Sequence, residues 1–190
     1  MRASLITGLS GPHLTPDEAR FLADVRPCGL ILFARNCETP DQVRRLISEA
    51  KEAIGEYDIL VLIDQEGGRV RRLMPPTWRD LPPAAAYARL AETDFEHAEA
   101  TARLVARLIA ADLRDLGINT NCVPVLDIPA PGSHEIIGDR AYGTTPEIVA
   151  RLGRAVAEGH LAGGVLPVIK HIPGHGRAQA DSHLELPIVT

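Results

Sequence analysis

Five short apolar runs, each separated from the next by a stretch with helical spacing, limit what this chain can fold into. The runs occupy residues 4–9, 29–33, 59–63, 121–128 and 165–169. They show little alternation, as strands of a parallel sheet do when both faces are covered. The intervening segments share one kind of start. Thr15-Pro16-Asp17-Glu18, Thr39-Pro40-Asp41-Gln42 and Thr145-Pro146-Glu147 each place Thr at a helix N-cap and Pro at the first helical position. In the first two, Glu18 and Gln42 complete an expected capping box. Val43, Leu46, Ile47, Ala50 and Ile54 then follow helical spacing, and Gly55 ends the helix. A longer helix is expected from a further capping box, Thr93-Asp94-Phe95-Glu96, through Ala98, Ala102, Val105, Ile109 and Leu116 to Gly117.

The loops add a direction. A proline-rich loop between Leu73 and Tyr87 follows the third run, residues 129–145 follow the fourth, and residues 171–186 follow the fifth. Turns leading into the runs are short. Long loops at the C-terminal ends of strands are the habit of a (β/α)8 barrel, which builds its active site there. Five strands use all 190 residues, whereas a barrel needs eight in about 250. The alternatives are an open doubly wound sheet or a portion of a barrel.

Charge and composition exclude several classes. Twenty Lys and Arg against 25 Asp and Glu give a net charge of −5, without a basic run, so nucleic acid is not an expected partner. No apolar stretch approaches the ~20 residues of a membrane span. The N-terminal residues meet Gly8, Gly11 and Pro12 before a signal core forms. Cys28, Cys37 and Cys122 lack C-x-x-C spacing and read as reduced thiols, so a cytoplasmic protein is expected. Aromatic residues are only 4%, so any sugar site has to rely on hydrogen bonds and charge.

Three polar clusters sit after the apolar runs. Lys170-His171-Ile172-Pro173-Gly174-His175-Gly176-Arg177, with Asp181-Ser182-His183, follows the fifth. Asp181 is close enough in sequence to fold back on His183, fix its tautomer and make it a general acid and base. Asp64-Gln65-Glu66-Gly67-Gly68-Arg69-Val70-Arg71-Arg72 follows the third run. Asp64 ends the strand, where its carboxylate can accept from adjacent hydroxyls. Arg69, Arg71 and Arg72 cannot all point inward. Gly138-Asp139-Arg140-Ala141-Tyr142-Gly143 follows the fourth. Arg140 can bind a ligand oxygen, or Asp139 can equally lock it in place. Asp127 reads either as a supporting carboxylate or as a cap.

Together, Ile63–Val70, Gly138–Gly143 and Lys170–Gly176 with Asp181-Ser182-His183 resemble the family 3 β-N-acetylhexosaminidases, in order and along the whole chain. Ile172 stands where that family often has Phe. The resemblance implies a TIM (β/α)8 barrel, here truncated to about its first five βα units over residues 1–190. It implies a retaining β-N-acetylglucosaminidase that removes N-acetylglucosamine from peptidoglycan-derived muropeptides, with no cofactor and no metal. Asp64, Arg72, Arg140, Lys170 and His171 would bind the sugar, and His183, assisted by Asp181, would be the acid/base. The family's nucleophile, an aspartate on a later strand, would lie beyond Thr190. The first and fifth strands would then be open edges. Three alternatives remain: a catalytically silent N-acetylglucosamine-binding fragment, a relative that accepts phosphate instead of water, and a metal hydrolase using His171, His175, Asp181 and His183.

Overall fold

The computed structural model describes residues 2–189. Its sheet is wholly parallel, with strands in sequence order: β1 (Ala3–Gly8), β2 (Pro27–Leu32), β3 (Leu60–Ile63), β4 (Thr120–Asn121) and β5 (Leu166–Pro167). The register runs across the sheet from Ile6 to Gly29 to Leu60, and from Leu62 to Thr120 to Leu166. Five helices cross between strands or flank them: α1 (Pro16–Val25), α2 (Pro40–Ile54), α3 (Ala84–Ala91), α4 (Phe95–Asp115) and α5 (Pro146–Ala162). β1 and β5 are the edges, and Leu5, Ile6, Leu166, Val168 and Ile169 are exposed there.

The Thr-Pro starts hold in outline and differ in detail. Thr15 accepts from the Glu18 amide, and the Glu18 carboxylate accepts from the Thr15 amide, a complete capping box. Thr39 caps α2, but Gln42 turns away to accept from the Glu38 amide and donate to the Pro12 carbonyl, so its box is half formed. Thr145 caps α5. The box expected at Thr93 does not form. Asp94 is the N-cap of α4 and accepts from the His97 amide, one residue beyond the amide a Thr93 cap would take, while the Thr93 hydroxyl donates back to the Leu90 carbonyl.

Two stretches depart from the sequence expectation. The proline-rich loop ends earlier than Tyr87, since Ala84–Ala91 form α3 directly after Pro83. The fourth and fifth strands have regular pairing over two residues each, instead of the whole of 121–128 and 165–169. Pro124 and Pro167 carry no amide hydrogen and cannot donate to a ladder. The pairing resumes beyond them in pieces, with the Lys170 amide donating to the Pro124 carbonyl and the Leu126 amide to the Lys170 carbonyl.

Two large clusters, with a small third one of Val125, Ile137 and Ala141, fill the interior of the described residues. One packs Leu30, Leu32, Val61 and Ile63 of the sheet against Leu22, Leu46, Ile47 and Ile54 of α1 and α2 and Leu113 of α4. The other packs α3, α4 and α5 around Ala98, Ala102, Leu152 and Val156. Each of these larger side chains contributes roughly 1.5–3 kcal/mol by leaving water. Small residues bring α4 and α5 together. A Cβ on Gly159 would lie 2.4 Å from the Arg103 carbonyl oxygen, so only glycine permits the approach that seats the end of α5 over the sheet.

Candidate active site

The C-terminal ends of β3, β4 and β5 bring distant charges to one place. Asp64 follows β3, and its carboxylate accepts from Lys170 Nζ at 2.8 Å and from Arg72 at 3.3 Å. Glu66 accepts from Lys170 Nζ at 2.6 Å and takes both Nε and a terminal nitrogen of Arg140, at 2.9 and 2.8 Å. Two-point contact of this kind is the strongest geometry available to a guanidinium. The Arg140 and Glu66 side chains are only 9% and 8% exposed. His171 joins them: its Nδ1 bonds Asp127 Oδ2 at 2.6 Å, and its Nε2 faces Arg140 at 3.4 Å.

The loop between Glu66 and Arg72 makes this possible. Gly67 has φ +103° and Gly68 φ +59°, and a Cβ on Gly67 would fall 2.4 Å from the Pro82 carbonyl oxygen. Arg69 turns out to Asp139, with Nε on the carboxylate at 2.9 Å, and Arg71 pairs with Asp80. Arg72 alone of the three reaches Asp64. Asp139 therefore does not lock Arg140; Glu66 does.

Charge sets the protonation of the floor. Burial pushes the Asp64 carboxyl up, but Lys170 and Arg72 outweigh it and hold the group below the usual carboxylate range. Burial likewise opposes ionisation of Asp127, and bonds from His171 and the His175 amide (2.5 Å) reverse the effect. Burial acts against the Arg140 charge too, and Glu66 more than restores it. Both carboxylates are thus ionised acceptors at neutral pH. Lys170 has spent two of its three N–H groups on Asp64 and Glu66. The four bonds of Arg140 to Glu66, His171 and the Ile136 carbonyl leave it one free N–H. A ligand oxygen finds those remaining donors beside a carboxylate that accepts from hydroxyls.

Asp181 and His183 lie on the loop after β5. His183 Nδ1 is 2.7 Å from Asp181 Oδ1, which also accepts the His183 amide at 2.9 Å. Those two bonds from His183 hold the Asp181 carboxyl below its ordinary range. The imidazole is 77% exposed. The structure therefore brings Asp64, Arg72, Arg140, Lys170 and His171 into one connected cluster and forms Asp181–His183 as a separate pair. Among the described residues, no three His, Cys, Asp or Glu side chains are arranged to hold a metal ion. No helix among the described residues is long and apolar enough to cross a membrane.

Sequence reasoning missed the central part of Glu66, which organises two of the cations. Its partners are 74 and 104 positions away, and no local pattern announces them. Asp127, left open between two roles, is a supporting carboxylate buried beneath His171. Its position at the end of the fourth apolar run was the available signal.

Residues 6–190 match the glycosyl hydrolase family 3 N-terminal domain, and the chain belongs to that family. It is 44% identical over 179 residues to a β-hexosaminidase of Methylococcus capsulatus, covering 94% of this chain and 52% of that protein. The crystal structure of NagZ from Neisseria gonorrhoeae in complex with N-trifluoroacetyl-D-glucosamine superposes with a TM-score of 0.90 at 35% identity, over 98% of this chain and 54% of that one. A family 3 β-N-acetylglucosaminidase from Paenibacillus gives a TM-score of 0.85 at 39% identity, covering 97% of this chain and 34% of that one. The chain spans about half the length of the curated relatives it matches.

Proposed function

We propose that this chain supplies the sugar-binding floor and the acid/base of a retaining β-N-acetylglucosaminidase. Residues 1–190 form the first five βα units of its (β/α)8 barrel. The observation that carries the reading is the convergence of Asp64, Arg72, Arg140, Lys170 and His171 where three strands end, with the Asp181–His183 pair on the loop after the last. Asp64 accepts from sugar hydroxyls, Lys170, Arg140 and Arg72 offer N–H groups to sugar oxygens, and His171, held between Asp127 and Arg140, completes the wall they form. The relative crystallised with N-trifluoroacetyl-D-glucosamine supports an N-acetylglucosamine-containing substrate. Peptidoglycan-derived muropeptides, met in the cytoplasm, are the proposed source.

In this scheme His183 begins as imidazolium, with Nδ1–H on Asp181 and Nε2–H toward the glycosidic oxygen. Cleavage transfers the Nε2 proton to the leaving group while a carboxylate from a later strand forms the glycosyl ester. The neutral ring then takes a proton from water, whose oxygen attacks the anomeric carbon and releases that carboxylate. Asp181 stays ionised throughout and fixes the ring. The test is hydrolysis of an aryl β-N-acetylglucosaminide by the full-length protein, with product analysis by NMR. Release of the β-anomer first supports the retaining scheme. Release of the α-anomer, or no turnover at any pH between about 5 and 8 where a histidine acid/base operates, overturns it.

A further inference from the structure

Behind the charged floor lies a buried polar chain that makes no contact with the cluster's ligand groups. His160, in the last turn of α5, and Asn121, at the end of β4, are both fully buried, and Gln65 is nearly so. His160 Nδ1 is 2.9 Å from the Val156 carbonyl oxygen, which can only accept. Nδ1 therefore carries the proton, and Nε2 presents a lone pair. Asn121 Nδ2 lies 3.0 Å from that Nε2 and also donates to the Gln65 carbonyl at 2.9 Å. Asn121 Oδ1 accepts from the Gln65 amide at 2.9 Å. Every hydrogen-bonding group of the Asn121 amide is thus used: the Gln65 backbone fixes which way the amide faces, and His160 takes its remaining N–H.

Gln65 passes the constraint on. Its Oε1 accepts from the amides of Arg72 and Leu73, at 2.9 and 3.0 Å. Its backbone joins Asp64 to Glu66. One residue therefore fixes the two carboxylates that hold Lys170 and Arg140, and also the backbone that delivers Arg72. If Nε2 stopped accepting, a lone donor on Asn121 would be stranded in the interior. The amide would tilt toward another acceptor and strain the two bonds it shares with the Gln65 backbone.

We propose that His160, through Asn121 and Gln65, is a positioning residue for the sugar-binding floor. The inference rests on the glycosidase reading for its kinetic consequence and on geometry alone for its structural one, so two measurements separate them. In the full-length protein, nitrogen NMR of His160 should show the neutral tautomer protonated at Nδ1, and the Gln65 amide should be protected from exchange. His160→Leu keeps the bulk and removes the acceptor. It should expose the Gln65 amide and lower kcat/KM on an aryl β-N-acetylglucosaminide at least ~10-fold, mostly through KM, since small misplacements at a binding site cost that much or more. His160→Gln restores an acceptor near the Nε2 position and should recover activity to within about threefold, a recovery a purely structural role would not produce. Wild-type KM in a folded His160→Leu protein overturns the proposal, as does a His160 ring protonated at Nε2 in the unaltered protein. The tautomer measurement stands if His160→Leu does not fold. Wild-type protein without turnover but with the expected tautomer and protection would refute the glycosidase reading and leave the positioning role supported.

Discussion

The floor of the site and the loop that carries the proposed proton donor are built in opposite ways. Asp64, Glu66, Arg140 and Lys170 are mostly buried, and each is held by at least two others or by backbone from another element. Asp181 and His183 hold each other through contacts two residues apart, and the segment after them exposes Leu184, Leu186 and Ile188 almost fully. Recognition is therefore pre-arranged within these residues, because ion pairs out of water fix geometry. The proposed donor pair is assembled locally, through bonds within its own loop. Binding and chemistry should come apart when the chain is perturbed.

The largest expected separation comes from the 190-residue chain itself. It should bind N-acetylglucosamine measurably by NMR, yet hydrolyse an aryl β-N-acetylglucosaminide at least ~1000-fold more slowly than the full-length protein, as loss of one member of a concerted pair commonly does. Turnover within tenfold of the full-length rate, a factor of about 1.4 kcal/mol in barrier, would break the comparison and point to Glu66 as a replacement nucleophile. Next is stability. Glu66→Gln removes the carboxylate charge facing buried Arg140 and one of the two facing Lys170, and should cost about 3–5 kcal/mol in denaturant unfolding. Asp181→Asn, whose partner lies two residues away on the same loop, should leave the denaturant midpoint almost unchanged. Equal losses would mean that the loop is as integrated as the floor.

A third expectation concerns the donor alone. In the full-length protein His183→Ala should slow a substrate with a poor leaving group by about 100-fold or more, and one with a good leaving group far less. Equal slowing would make His183 a sugar-positioning group. The smallest effect is acid sensitivity. Asp64 and Asp127 titrate below the 3.8 of an unconstrained Asp. Their folded values are depressed, so the stability they contribute is full above the unfolded value and is lost as pH falls through the folded one. The melting temperature should hold down to about pH 5 and fall below about pH 4. Asp127→Asn should flatten that acid limb, and an unchanged limb would assign it to other carboxylates.

What the sequence revealed follows the range of the forces involved. Thr15, Thr39 and Thr145 were legible as caps because capping acts within three residues. The side of the sheet that carries the site followed from where the long loops fall, whereas strand order followed only from the family resemblance, because the loops alone left a doubly wound sheet open. α3 was hidden because Pro83 precedes it without a side-chain cap, and the prolines before it read as loop. The lengths of β4 and β5 depend on which amides face a partner, which apolar character does not report. Asp64, Lys170 and His171 stood out through local motifs. The bonds from Glu66 to Arg140 and from Asp127 to His171 join residues 74 and 44 positions apart, and only the folded sheet brings them together.

The sharing of Glu66 between Arg140 and Lys170 has a consequence for how such a site can change over time. A carboxylate with one partner can be exchanged along with that partner, as a matched pair. A carboxylate with two ties three positions, drawn from three different strand ends, into one unit of inheritance. Single substitutions there should show strong epistasis. The damage done by altering Arg140 should depend on whether Lys170 is present, and a double-mutant cycle should return a coupling well outside the ~0.3–0.5 kcal/mol expected of independent sites. An engineer wishing to retune sugar preference would have to redesign the trio together, or leave it alone and work from the rim.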